Sequence, residues 1–171
     1  MATDLNNKYI FLVDDEPIQN EMLKDYLSER FAYKIKTYGS GEDAMKDIGL
    51  NPDIAVLDFH LNSHLPNAQN GVEVLKTLKA ASPSTQCIML SGQDKLEVAV
   101  DSMKYGAYDY VLKGETAFSR MENILNNIIE LRSVKASNST YKRIITMLIV
   151  SIVVVAALGI GLAYYMQAHH Y

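Results

Sequence analysis

Pro52 leads into a run, Asp53-Ile54-Ala55-Val56-Leu57-Asp58, that leaves few options for the fold. Four consecutive apolar residues, including β-branched Ile54 and Val56, read as a strand buried on both faces, as in the middle of a parallel sheet. The run ends on a carboxylate, Asp58. An earlier run, Tyr9-Ile10-Phe11-Leu12-Val13, also ends on carboxylates: Asp14, Asp15 and Glu16. An acidic pair after one strand is usually an ordinary solvated turn. Two such strands, parallel and adjacent, bring at least three acidic side chains to one sheet edge. Like charges that close cannot all stay ionised without a cation. A small cluster of hard oxygen donors suits Mg²⁺.

The rest of the chain alternates strand and helix. Lys8–Val13 is the first strand, and Pro17 suits the first turn of a helix carrying Ile18, Met22, Leu23, Tyr26 and Leu27 at helical spacing. Tyr33–Tyr38 is a second strand, and Ser40-Gly41-Glu42-Asp43 has the form of a capping box opening a short helix. After Asp58 comes a polar loop from Phe59 to Asn70, with His60, His64 and Pro66. Gly71 then starts a third helix with Val72, Val74, Leu75 and Leu78 facing inward, and Pro83 closes that region. Gln86–Leu90, followed by Ser91-Gly92-Gln93, is a fourth strand, and Lys95–Tyr105 a fourth helix stopped by Gly106. Asp109–Leu112 is a fifth strand, ending at Lys113-Gly114. The fifth helix carries Phe118, Met121, Leu125 and Ile128 and runs to about Ser133.

Five such alternations predict an α/β fold, a five-stranded parallel doubly wound sheet. Its ligand site is expected at the carboxyl ends of the strands, where the strand order reverses. In the order 2-1-3-4-5 that point lies between the strands ending on Asp14-Asp15 and on Asp58. Ser91 and Lys113, at the ends of strands four and five, add a hydroxyl and an ammonium to the same rim. The set suits an acyl-phosphate site. Asp58 attacks as nucleophile, Mg²⁺ and Lys113 neutralise charge on the moving phosphoryl group, and Ser91 bonds a phosphate oxygen.

On these residues, the chain over residues 8–132 resembles the response-regulator receiver domains of two-component signalling, which are flavodoxin-like. The matched features are the acidic pair, Asp58, Ser91, Tyr110 and Lys113. The resemblance implies transfer to Asp58 from a phosphohistidine on a histidine kinase or histidine phosphotransfer protein. It implies Mg²⁺ ligation by Asp15, Asp58 and the backbone carbonyl of His60, with Asp14 acting mainly through water. It also implies that Ser91 moves toward the phosphoryl group while Tyr110 turns inward, reshaping the face of helix four, strand five and helix five. A receiver accepts phosphate and assists its own chemistry without a separate catalytic domain.

Three features depart from the family pattern. The loop from Asp58 to Gly71 is about five residues longer than usual for the family. Gly114 stands where the family has a proline in a cis bond; a non-proline cis bond costs roughly 2.5–4 kcal/mol, so a trans bond and a differently aimed Lys113 are expected. His60 is an unusual residue two positions after Asp58, placed to affect water access. His60 and His64 otherwise read as solvated loop residues.

Two other readings stand beside this one. The domain can act as a docking module without phosphorylation. A phosphatase using an aspartyl phosphate is weaker, because such hydrolases place a second acid where His60 stands.

Charge separates the chain into two materials. The balance of 16 Lys+Arg against 20 Asp+Glu leaves no nucleic-acid footprint. The single cysteine, Cys87, cannot form an internal disulfide, and the N-terminus lacks the apolar stretch of a secretory signal. Every charged side chain lies at or before Arg143. The 23 residues Ile144–Met166 would span about 35 Å as a helix, enough for a bilayer core of about 30 Å.

The expected organisation is a receiver over 1–132, a linker over 133–143, a transmembrane helix over 144–166 and a short tail over 167–171. Output is then expected through protein contact or onward phosphotransfer. Lys135, Lys142 and Arg143 precede the span, which places the receiver on the cytoplasmic face of the inner membrane, as a single-pass tail anchor. Tyr164 and Tyr165 suit the far interface, and His169 and His170 read as interfacial residues. Ala157 and Gly161, four residues apart, make a homodimer a candidate assembly, with lipid exposure the simpler reading.

Overall fold

The computed structural model describes residues 8–61, 69–92 and 96–168. Five parallel strands, β1 (Tyr9–Val13), β2 (Lys34–Tyr38), β3 (Ile54–Asp58), β4 (Gln86–Ser91) and β5 (Asp109–Leu112), form one sheet in the order β2-β1-β3-β4-β5. The helices between them are α1 (Pro17–Ser28), α2 (Gly41–Lys46), α3 (Gly71–Ala81), α4 (Leu96–Lys104) and α5 (Ala117–Ala168). A short 3-10 turn, Ile48–Leu50, precedes β3. The strand order is the one that the resemblance to receiver domains implies.

All five residues of β3 are buried, as the run of apolar residues requires of a central strand covered on both faces. On one face Phe11, Val13, Ala55, Leu57, Cys87 and Met89 pack with Val74, Leu75 and Leu78 of α3 and Ala44 of α2. The alternate positions Leu12, Val56 and Leu90 lie beside Leu23 of α1 and Phe118 of α5. Tyr26 of α1 meets Phe118 at 5.3 Å between ring centroids and donates a 2.6 Å hydrogen bond to Glu122.

Local signals account for most helix boundaries. Pro17 is at the start of α1. Ser40 caps α2, its hydroxyl accepting from the Asp43 amide at 3.2 Å. Gly106, at φ +92°, follows α4 in the left-handed conformation that favours glycine. Asn70 and Glu73 form a full capping box on α3 that the sequence reading did not pick out.

The structure corrects two expectations. Ile18 and Met22 are not part of the buried stripe of α1; they are 76% and 57% exposed. The buried residues are Asn20, Leu23 and Leu27, so a polar side chain takes a core position. The fifth helix does not end near Ser133; α5 continues through the expected linker to Ala168. The expected linker holds no helix breaker: no proline follows Pro83 and no glycine lies between Gly114 and Gly159.

The chain divides into two compact units, 1–125 and 126–171. Within the second, Tyr141–Gly159 is long and apolar enough to cross a membrane, by length and composition, and none of it is buried. His64, Pro66, Gln93, Lys95, His169 and His170 lie outside the described residues.

Candidate functional site

The parallel register pairs Val13 with Leu57, Asp58 with Leu90 and Ser91 with Leu112, so Asp14 after β1, Asp58 at the end of β3 and Lys113 after β5 emerge at one edge. Asp14 and Asp58 are only 5% and 3% exposed, while Asp15 is half-buried. One carboxylate oxygen from each of the three lies within 4.8 Å of the others. Lys113 reaches in from the end of β5. Its Nζ is 2.8 Å from Asp14 Oδ2 and 3.0 Å from Asp58 Oδ1.

The remaining oxygens are held by backbone amides. Glu16 N donates to Asp14 Oδ1 at 2.9 Å, and His60 N donates to Asp58 Oδ2 at 3.0 Å. Asp58 Oδ1 is close to Lys113 but off the line of a hydrogen bond, and among the described residues it has no hydrogen-bond partner. Burial pushes the Asp14 carboxyl above its ordinary value, outweighing the hydrogen bonds from Lys113 and Glu16 that act against it. Burial opposes the charge of Lys113 as well, yet its hydrogen bond to Asp14 and the nearby Asp58 carboxylate together hold its pKa above the usual lysine value.

No peptide bond among the described residues is cis, so Lys113–Gly114 is trans. The expected re-aiming of Lys113 does not follow. Its amide donates to the Ser91 carbonyl at 2.8 Å, which continues the β4–β5 ladder and aims the side chain at the acidic edge. Ser91 is fully buried at the end of β4. Tyr110 is half-buried and packs against the core cluster. The His60 ring stacks edge-on with Phe59 at 4.8 Å.

Two further residues shape the site. Gly71, at the start of α3, sits so close to the β3 end that an added Cβ would lie 2.1 Å from the Asp58 carbonyl oxygen and 2.8 Å from Phe59 Cα. Its amide also donates to the Phe59 carbonyl at 2.9 Å. Asn20 Nδ2 donates to the carbonyls of Asp14 at 2.8 Å and Tyr38 at 3.0 Å. The sequence marks Gly71 only as a helix start. The signal for Asn20 was its spacing with Leu23 and Leu27.

The donor set fits a divalent cation such as Mg²⁺. It is all carboxylate oxygen, clustered, and includes a buried Asp58 oxygen without a hydrogen bond. The family profile of the response regulator receiver domain matches residues 10–126. The chain belongs to the response-regulator receiver family.

This receiver is similar to two transcriptional regulatory proteins of Bacillus subtilis. It is 28% identical to MalR over 120 residues, covering 69% of this chain and 48% of MalR. It is 34% identical to CssR over 104 residues, covering 61% of this chain and 44% of CssR. The chain thus spans about a quarter to a half of the length of the curated relatives it matches. The receiver domain of NtrX from Brucella abortus has a similar structure, with a TM-score of 0.63 at 25% identity, over 71% of this chain and 98% of that one. A receiver is a phosphoacceptor rather than a classical enzyme, and receivers in general partner with histidine kinases.

Proposed function

We propose that this receiver accepts a phosphoryl group on Asp58 from a phosphohistidine donor. The observation that supports it most is the Lys113 ammonium set between Asp14 and the buried Asp58. Asp58 Oδ1 attacks phosphorus as the phosphorus–nitrogen bond breaks, and the electron pair stays on the donor imidazole. His60 N holds the other Asp58 oxygen and keeps Oδ1 facing the donor. Lys113 neutralises charge on the moving group. The Ser91 hydroxyl then bonds a phosphoryl oxygen and Tyr110 turns inward as the switch.

Asp14, Asp15 and Asp58, with the His60 carbonyl, would hold Mg²⁺, which neutralises charge on phosphoryl oxygens when bound. The reading includes a membrane tether. Tyr141–Gly159 is apolar and exposed, and Lys142 and Arg143 sit at its start, which favours the receiver on the cytoplasmic face. Output passes to a protein partner or onward to a histidine protein.

The test is intact mass of the full chain in mild detergent after acetyl phosphate and Mg²⁺. One phosphoryl adduct is expected on wild type and none on Asp58→Asn. No adduct on wild type, while a control receiver is labelled, would leave a docking module.

A further inference from the structure

Asn20 is 5% exposed and faces inward from α1 at the spacing of Leu23 and Leu27. A leucine has the same branched outline without the polar atoms, so what the amide contributes is its hydrogen bonds. Both partners are carbonyl oxygens, which fixes the NH₂ end of the amide toward them. One hydrogen goes to the Asp14 carbonyl at 2.8 Å and the other to the Tyr38 carbonyl at 3.0 Å. The Tyr38 carbonyl also accepts from Asp14 N at 3.1 Å. The last residue of β2 and the turn after β1 are therefore held by one side chain.

The consequence falls on Asp15. The Asp14 carbonyl belongs to the planar peptide that carries Asp15 N, so fixing that oxygen fixes the direction in which the Asp15 Cα leaves. Asp14 itself is further held through its carboxylate, by Glu16 N and Lys113. Asp15 is half-buried on an exposed turn, yet its carboxylate shares the 4.8 Å cluster with Asp14 and Asp58.

We infer that Asn20 is a positioning residue that sets the acidic turn, and with it Asp15, for divalent-cation binding. The inference rests on the metal site of the proposed function. Residues that orient metal ligands without touching the ion are worth about 10–100-fold in metal affinity when lost.

The experiment titrates the full chain in mild detergent with Mn²⁺, read by electron paramagnetic resonance. Asn20→Leu should weaken Mn²⁺ binding about tenfold or more. Excess metal should restore its labelling rate with acetyl phosphate, so the loss lies in metal affinity and not in the phosphoryl step. Leu23→Ala loosens the same helix without touching the turn. It should lose stability to urea and keep wild-type Mn²⁺ affinity. Should Asn20→Leu fail to fold, Asn20→Ser, too short to reach both carbonyls, carries the same expectation. Wild-type affinity in the Asn20 variant, or an equal loss in Leu23→Ala, overturns the inference while the metal site stands. Absence of Mn²⁺ binding by wild type overturns the metal site and the inference with it.

Discussion

Lys113 Nζ lies 2.8 Å from Asp14 Oδ2, a contact made across 99 residues of sequence and despite a trans peptide into Gly114. The β4–β5 ladder, through Lys113 N and the Ser91 carbonyl, does the aiming. The pair leaves two buried carboxylates, Asp14 and Asp58, sharing one ammonium.

The first prediction follows from the Asp14 shift. Burial raises its folded pKa above the ordinary 3.8, so between those two values the folded state binds more protons than the unfolded one. The charged carboxyl therefore destabilises the fold at neutral pH, and the penalty fades as pH falls through that window. Asp14→Asn should raise the urea midpoint of the metal-free protein in EDTA at pH 7, and the advantage should shrink toward pH 4. A lower midpoint than wild type at pH 7 would mean that the ion pair with Lys113 outweighs burial.

Gly71→Ala is the second. An added Cβ would meet backbone, the Asp58 carbonyl oxygen at 2.1 Å, and backbone cannot swing away as a side-chain tip can. Overpacking of this kind typically destabilises by about 1–3 kcal/mol. The displaced atom belongs to Asp58 itself, so labelling by acetyl phosphate should fall even at temperatures where the variant stays folded. A variant with wild-type labelling and stability would show that the start of α3 shifts freely.

The alternating elements and the acidic edge are legible because each rests on a local rule, whereas the strand order comes with the family resemblance. Consecutive apolar residues mark buried strands, and in a parallel sheet every strand presents its following residue to the same edge. Asn20 and Gly71 were not legible because their roles are set by partners far along the chain. Tyr38 is 18 residues from Asn20, and the Asp58 carbonyl is fixed only once β3 and α3 meet. Ile18 and Met22 fit a helical period but lie on the wrong side of it, since the period gives spacing and leaves the phase open. The end of α5 differs because polar Ser, Asn and Thr over 133–141 suggest a linker, while that stretch holds no proline or glycine to interrupt a helix.

The third prediction concerns Cys87, fully buried on β4. Burial pushes its thiol up to about 12. Native protein should resist N-ethylmaleimide through pH 9, reacting at least about a thousandfold more slowly than in urea if labelling requires global opening. Because the unfolded thiol ionises near 9.0 and the folded one does not, stability should also decline as pH rises beyond 9.0. Rapid native labelling at pH 7 would mean that the sheet opens locally around β4.

The last prediction is the membrane tether. Among the described residues, eleven large apolar side chains between Ile144 and Leu158 are exposed. They surround the helix instead of forming one stripe, so packing against a single neighbouring helix would leave much of that surface in water. Lipid covers all sides at once. Full-length protein should sediment with membranes, resist salt and carbonate washes and need detergent for release, whereas residues 1–132 should stay in the supernatant. Arg or Lys at the centre of a span opposes insertion by about 2.5–3.5 kcal/mol. Val153→Arg should therefore shift part of the protein to the soluble fraction, while Lys142→Ala and Arg143→Ala together should leave insertion intact and weaken its orientation. Cys87 is buried and supplies little background for thiol labelling in the folded protein. With an impermeant reagent on intact cells, His170→Cys should react and Ser137→Cys should not. Soluble full-length protein, or the reverse labelling, would sink the tether and require another partner for the apolar helix.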